Sequence, residues 1–130
     1  MIFGIGTDIA KVSRFYRWVK NPEMIARFFN AAEIVDCGSD FSERRLQSLS
    51  EHYAARFAAK EAFSKALGTG FVGLELSDFG ISKNASGKPG FVFGEKTEKV
   101  ISDIVGSKFC VHVSISHEKE YATAFVVIES

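Results

Sequence analysis

The sequence predicts an α+β domain, with one long helix packed on a mostly antiparallel sheet. Three observations carry this. Residues 40–67 contain no Gly or Pro and are rich in Ala, Leu, Arg, Lys, Glu and Gln, which spells a long helix. The second half holds β-rich runs separated by turn residues. Strand, short helices, long helix, hairpin, helix and hairpin follow in that order, so helices and strands are segregated rather than alternating.

In chain order, Ile2 to Ile9 is apolar with glycines and ends beside an acid, and reads as a buried strand with a functional terminus. Val12, Phe15, Tyr16 and Val19 then fall at i, i+3, i+4 and i+7, a helix face. Lys11, Arg14, Arg17 and Lys20 interleave with them, with no acid among them. Pro22-Glu23 opens another short helix through Phe29. Glu33 to Cys37 continues it after a break, and Gly38 ends the run. Asp40-Phe41-Ser42-Glu43 has capping-box spacing, so Asp40 is the expected cap of the long helix and Gly68 its C′ residue. Leu74–Lys83 and Phe91–Phe93 flank the turn Asn84-Ala85-Ser86-Gly87. Glu95 to Val105 is a helix closed by Gly106, and Phe109–Ser116 pairs with Ala122–Ile128 as a hairpin.

A chain of 130 residues suits one domain, expected over 1–130, and is long enough to fold without staples. Apolar residues make up 46%, and 16 basic side chains balance 16 acidic ones, which excludes a disordered chain or a polycation. Cys37 and Cys110 form no C-x-x-C and are expected as free thiols, with Cys110 a small core residue. The first eight residues lack the basic flank and apolar core of a signal peptide, and no apolar stretch approaches bilayer length. A cytoplasmic protein with no membrane partner is the expectation.

Phe57, Glu61, Ser64, Lys65 and Gly68 share one face of the long helix. A carboxylate, a hydroxyl and an ammonium therefore meet near its C-terminal end. On an arbitrary helix a Glu–Lys pair at this spacing is an exposed ion pair worth about 0.2–0.5 kcal/mol. Here Ala54, Ala55, Ala58, Ala59 and Ala62 let another backbone or a ligand come close. Asp8, at the end of the first strand, is either a turn or cap residue or a second carboxylate. Two carboxylates from separate elements can hold Mg²⁺ and leave positions for water and phosphate oxygens. Gly68-Thr69-Gly70-Phe71-Val72-Gly73 matches G-x-G-x-x-G by letter, but it follows a helix and precedes β-type residues, so it is no dinucleotide site. His52, His112 and His117 lack zinc spacing. On one strand His112 and His117 face opposite sides, with His112 structural and His117 at a strand end beside Ser116. The basic stripe is either a solvated face or a dock for an acidic partner. A neutral chain without a further basic cluster does not favour nucleic acid.

Four ordered segments narrow this reading. Gly4-Ile5-Gly6-Thr7-Asp8-Ile9 followed by Arg14-Phe15, and Arg56-Phe57-Ala58-Ala59-Lys60-Glu61-Ala62-Phe63-Ser64-Lys65-Ala66-Leu67-Gly68-Thr69-Gly70, resemble two signatures of the holo-[acyl-carrier-protein] synthases. Gly87-Lys88-Pro89 and Val113-Ser114-Ile115-Ser116-His117-Glu118 resemble two more. The resemblance implies the 4′-phosphopantetheinyl transferase fold in its short, trimeric form, with active sites at subunit boundaries. It implies transfer of 4′-phosphopantetheine from coenzyme A to a serine of apo acyl carrier protein, in support of fatty acid biosynthesis. By motif position, Asp8 and Glu61 are the Mg²⁺ ligands, with Mn²⁺ also possible on hard oxygen donors. Lys65 contacts the pyrophosphate. Arg56, Ser64, Gly68, Gly87, Lys88, Pro89, Ser116 and His117 belong to the coenzyme A site, some from a neighbouring subunit. Arg14, with Arg17 on the same stripe, receives the carrier. Glu61, or a water beside it, is the candidate base. The competing reading is a non-catalytic coenzyme A or nucleotide-binding module of the same fold.

Overall fold

The computed structural model describes residues 1–36 and 38–130. Strand β1 (Ile2–Lys11) leads through a 3-10 turn (Val12–Phe15) into the short helices α1 (Tyr16–Val19) and α2 (Pro22–Phe28). A 3-10 turn at Ala31–Glu33 precedes the long helix α3 (Glu43–Leu67). The rest is β2 (Phe79–Lys83), β3 (Pro89–Phe93), α4 (Glu95–Ile104), β4 (Cys110–His117) and β5 (Tyr121–Glu129). Strands β1, β5 and β4 form an antiparallel sheet in that order, and β2 and β3 form a separate hairpin. The expected α+β class and the long helix on antiparallel strands are both present.

Helix α3 starts two residues later than the capping-box reading placed it. Ser42, not Asp40, is the N-cap: its hydroxyl accepts from the Arg45 amide, while Asp40 accepts from the Ser42 amide and shapes the approach. A short hydroxyl beside the helix start outcompetes the more distant acid. Gly68 ends the helix in the left-handed region (φ 85°), as expected. Strand β2 begins only at Phe79, because Leu76–Asp78 forms a 3-10 turn where the sequence suggested strand from Leu74. Asp78 spends its carboxylate on the start of α4, accepting from the amide and hydroxyl of Thr97.

Strand β1 is not buried on both faces. Gly4, Gly6, Asp8 and Ala10 look toward α3, while Ile2, Ile5 and Ile9 are 64%, 59% and 62% exposed on the other side. The inner positions are small because the helix lies almost on the strand. A Cβ at Gly6 would stand 1.9 Å from the Ala62 carbonyl oxygen, and one at Gly4 2.0 Å from that of Ala66. Ala62, Ala66, Ala54 and Ala58 are correspondingly buried, so the alanine run does admit another backbone. Cys110 is exposed rather than in the core, since it falls on the outer face of β4. Cys37 lies outside the described residues. His112 is likewise exposed and holds Glu129 through Nε2, 2.5 Å from Oε1.

The core has two aromatic centres. Phe15, Phe29, Tyr53 and Phe57 meet under α1 and α2, with Trp18 against them, and Phe63 packs with Phe79, Phe91 and Phe93 under the hairpin. Between them lies a buried ion pair, Lys60 Nζ to Glu33 Oε1 at 2.8 Å. Its other valences are filled. Glu33 accepts from the Asn30 and Ile81 amides, and Lys60 donates to the Leu76 and Phe79 carbonyls.

Candidate active site

The close approach of β1 to α3 at Gly4 and Gly6 sets where Asp8 falls. It is the next inner-face position, beside the helix at Glu61 and Lys65. Lys65 Nζ donates to Asp8 Oδ1 at 3.2 Å and to the Thr7 carbonyl at 3.0 Å. Glu61 is half-buried. Partial burial, then the neighbouring Asp8 charge, pushes its carboxyl above the usual range, and Lys65 and Arg14 pull the other way. Arg14 reaches this group by lying over aromatic rings, with its guanidinium carbon 5.0 Å from the Phe57 centroid and 5.6 Å from those of Phe15 and Trp18. Two carboxylates and two cations from β1, α3 and the 3-10 turn thus converge at one edge of the helix. The carboxylates offer hard oxygens to a divalent cation, and the cations face any polyanion bound beside it.

The remaining expected site residues lie elsewhere in the chain. Ser64 is buried and its hydroxyl donates to the Glu61 carbonyl at 2.7 Å, turned back on its own helix. Arg56 donates from Nη1 to the His52 carbonyl at 3.2 Å, and its buried Nε has no partner. Arg17 is exposed on α1. Gly87 (φ 85°), Lys88 and Pro89 close the β2–β3 hairpin, whose turn is tied by Asn84 Oδ1 accepting from the Ser86 and Lys88 amides. Ser116 and His117 point to opposite faces at the end of β4. His117 Nδ1 lies 3.1 Å from Glu51 Oε1, ten residues and roughly 15 Å along α3 from Glu61. Among the described residues, none of these makes a hydrogen bond or ion pair with the side chain of Asp8, Glu61 or Lys65.

The family model for the 4′-phosphopantetheinyl transferase superfamily matches residues 4–126. The chain belongs to that superfamily. It is 36% identical to a holo-[acyl-carrier-protein] synthase of Treponema denticola over 129 residues, covering 99% of each chain. Among solved structures it resembles the synthase of Neisseria meningitidis, at 34% identity and TM-score 0.78 over 100% of both chains. It also resembles that of Bacillus anthracis in complex with CoA (3′,5′-ADP), at 33% identity and TM-score 0.74, covering 100% of this chain and 98% of the other.

Two groups in this transferase chain escaped the sequence reading. One is the buried Lys60–Glu33 pair: Lys60 sits inside the longest motif, but nothing near it in sequence announces Glu33. The other is a polar relay beside an open cleft of about 840 Å³ lined by Tyr16, Gln47, Glu51 and Lys119. Tyr16 donates to Gln47 Oε1 at 2.8 Å, and Gln47 donates to Glu51 Oε2 at 3.1 Å and to the Lys119 carbonyl at 2.9 Å. Gln47 and Glu51 are one helical turn apart, so the i,i+4 spacing was the available signal. Their partners on α1 and in the β4–β5 turn were not visible.

Proposed function

We infer that this chain transfers 4′-phosphopantetheine from coenzyme A to a serine of apo acyl carrier protein, releasing adenosine 3′,5′-bisphosphate. The convergence of Asp8, Glu61, Lys65 and Arg14 carries the reading, together with family membership. Phosphoryl transfer needs mainly positioning and charge stabilisation, and this group offers both. Asp8 and Glu61 fit Mg²⁺ or Mn²⁺, being oxygen donors whose charges already bear on one another. Such a bound ion supplies neutralisation of the pyrophosphate. Lys65 brings a flexible cation to the same phosphates, and Arg14 a second one. Glu61, or a water beside it, is the candidate acceptor of the serine proton.

The cationic stripe of Lys11, Arg14, Arg17 and Lys20 suits an acidic carrier surface. A homotrimer is supported by the outer face of the β1–β5–β4 sheet. Phe3, Ile5, Ile9, Tyr121 and Phe125 are exposed there, an apolar patch that a second copy would cover. Ser116 shares that face, so a neighbour could bring Ser116, His117 and its hairpin to the Asp8 edge. The setting proposed is fatty acid biosynthesis in the cytoplasm. Among the described residues no helix is long and apolar enough to cross a membrane.

Incubation with apo acyl carrier protein, coenzyme A and Mg²⁺, read by intact mass of the carrier, tests the reaction. The phosphopantetheine adduct should appear, and EDTA should abolish it. Glu61→Gln should lose transfer while keeping its far-ultraviolet circular dichroism. A folded wild-type chain that binds coenzyme A yet modifies no carrier would be the non-catalytic module instead. Light scattering at assay concentration should give three times the 14.3 kDa chain mass.

A further inference from the structure

The polar chain on the first half of α3 has no task in the reaction proposed above, yet it ends on His117, which the family resemblance assigns to coenzyme A. Glu51 divides its carboxylate: Oε2 accepts from Gln47 Nε2 at 3.1 Å, and Oε1 faces His117 Nδ1 at 3.1 Å. The orientation of Gln47 is dictated by its surroundings. Its amide nitrogen faces two acceptors, Glu51 and the Lys119 carbonyl at 2.9 Å, while its oxygen takes the Tyr16 hydroxyl proton at 2.8 Å. Turning the amide over would set its oxygen against both acceptors. One side chain therefore holds the partner of His117 and also the turn two residues beyond His117. The Val12 amide donates to the Glu120 carbonyl at 2.8 Å and pins the same turn. His117 alternates with Val113 and Ile115, not with Ser116, and so faces α3. These contacts are made within one chain and ask nothing of the outer sheet face that a neighbouring copy would cover.

We propose that Glu51, held by Gln47, is a positioning residue that fixes the proton of His117 on Nδ1 and so keeps Nε2 for coenzyme A. This rests on the reading of His117 as a coenzyme A residue. An ionised carboxylate only accepts hydrogen bonds, so the ring nitrogen that faces Glu51 carries its proton. Among the described residues Nε2 has no hydrogen-bond partner. Neutral, the ring offers Nε2 as an acceptor to an N–H or O–H of coenzyme A. With a second proton it donates from Nε2 to a phosphate oxygen. Without Glu51 the neutral ring would relax toward the Nε2–H form that a free histidine side chain favours, and its side-chain torsions would lose their anchor. Glu51 lies too far along α3 to touch the group at Asp8, so its effect runs through His117.

The test uses the full chain with histidine labelled with nitrogen-15, read by long-range nitrogen–proton correlation at about pH 8, where an ordinary imidazole is neutral. His117 should show the Nδ1–H pattern in the wild type and the Nε2–H pattern in Glu51→Ala. In calorimetry Glu51→Ala should bind coenzyme A about twofold to tenfold more weakly, the usual worth of one hydrogen bond. In transfer assays KM for coenzyme A should rise by that factor while kcat and KM for the carrier hold. In a His117→Ala background Glu51→Ala should cost no further affinity. Gln47→Leu should give the same changes to a smaller degree. A wild-type ring protonated on Nε2 overturns the proposal, as does an unaltered His117 pattern in Glu51→Ala. An equal loss of affinity in both backgrounds also overturns it, since Glu51 would then act on the fold and not through His117. A wild type that binds coenzyme A yet modifies no carrier would sink the transferase reading alone, and the binding and spectral arms would still decide the role of Glu51.

Discussion

Helix α3 carries two lysine–carboxylate pairs five residues apart, and they do opposite things. Lys60 and Glu33 are fully buried, with side-chain exposure of 0% each. Lys65 and Asp8 are open, at 53% and 19%. Five residues turn a helix by roughly 140°, so one pair faces the core under β2 and the other the edge beside β1. The buried pair is fully hydrogen-bonded and leaves no valence for a ligand. The open pair is loosely held at 3.2 Å, and Lys65 keeps most of its surface toward solvent. A charge committed to partners on every side fixes the fold, while one held at the surface by Asp8 and the Thr7 carbonyl, with half its side chain in solvent, can be redirected to a substrate.

Breaking the buried pair should give the largest effect. Lys60→Met leaves Glu33 as an uncompensated buried carboxylate and strips the Leu76 and Phe79 carbonyls of their donor. Removing one partner of such a pair costs about 3–5 kcal/mol. Urea unfolding should show that loss, and the double variant Glu33→Gln with Lys60→Met should recover part of it. Full stability in Lys60→Met alone would mean that the pair contributes nothing to holding the 3-10 turn on α3.

The open pair should respond in reverse. Lys65→Met removes a surface contact worth about 0–1 kcal/mol, so the unfolding midpoint should barely move. Transfer to the carrier should nevertheless fall on the order of 10²–10³-fold, the usual cost of losing one charge stabiliser. A variant that loses stability and activity in proportion would place Lys65 with Lys60 as a structural residue.

This contrast also shows what the sequence could disclose. Glu61 and Lys65 were legible because helical spacing puts them on one face, and Asp8 because it ends an apolar run. The glycines of β1 were visible, yet their reason was not: only the helix seated on Gly4 and Gly6 shows why the apolar side chains of β1 face outward. Burial was misjudged at Ile5, Ile9 and Cys110 because hydrophobicity does not say which face of a strand meets the core. Glu33 was illegible as Lys60's partner because 27 residues separate them and the turn that joins them is tertiary. The coenzyme A positions Arg56, Ser116 and His117 came from motif resemblance alone, and within one chain they stay apart.

A finer probe separates recognition from chemistry on the open side. Arg14 lies over Phe57 near Glu61, whereas Arg17 is one helical turn away on α1. Arg17→Ala should weaken carrier affinity about twofold to tenfold, with the loss vanishing at high salt, since exposed charges are screened beyond about 10 Å at 0.1 M salt. Arg14→Ala should lower the maximal rate as well as affinity. Coenzyme A affinity, measured by calorimetry, should change less than carrier affinity in both. Equal losses for the two ligands would remove the stripe from carrier docking.

A further expected effect belongs to the buried side and appears only on acidification. His52 Nε2 donates to the Glu33 carbonyl at 2.6 Å, beside the buried pair. Burial, then the charge of Arg56, lowers its pKa from 6.5 to about 4. Between those values the unfolded chain binds a proton that the folded chain refuses, so stability must fall as the pH drops through that window. The loss is on the order of 2–3 kcal/mol by the time pH 4 is reached, and it levels off below that value. His52→Gln keeps a donor for the Glu33 carbonyl but has no proton to gain, so urea midpoints measured from pH 7 down to about 4 should decline less steeply than in the wild type. Identical slopes would show that solvent reaches His52 freely, and that the tight packing around Glu33 and Lys60 stops short of the first half of α3.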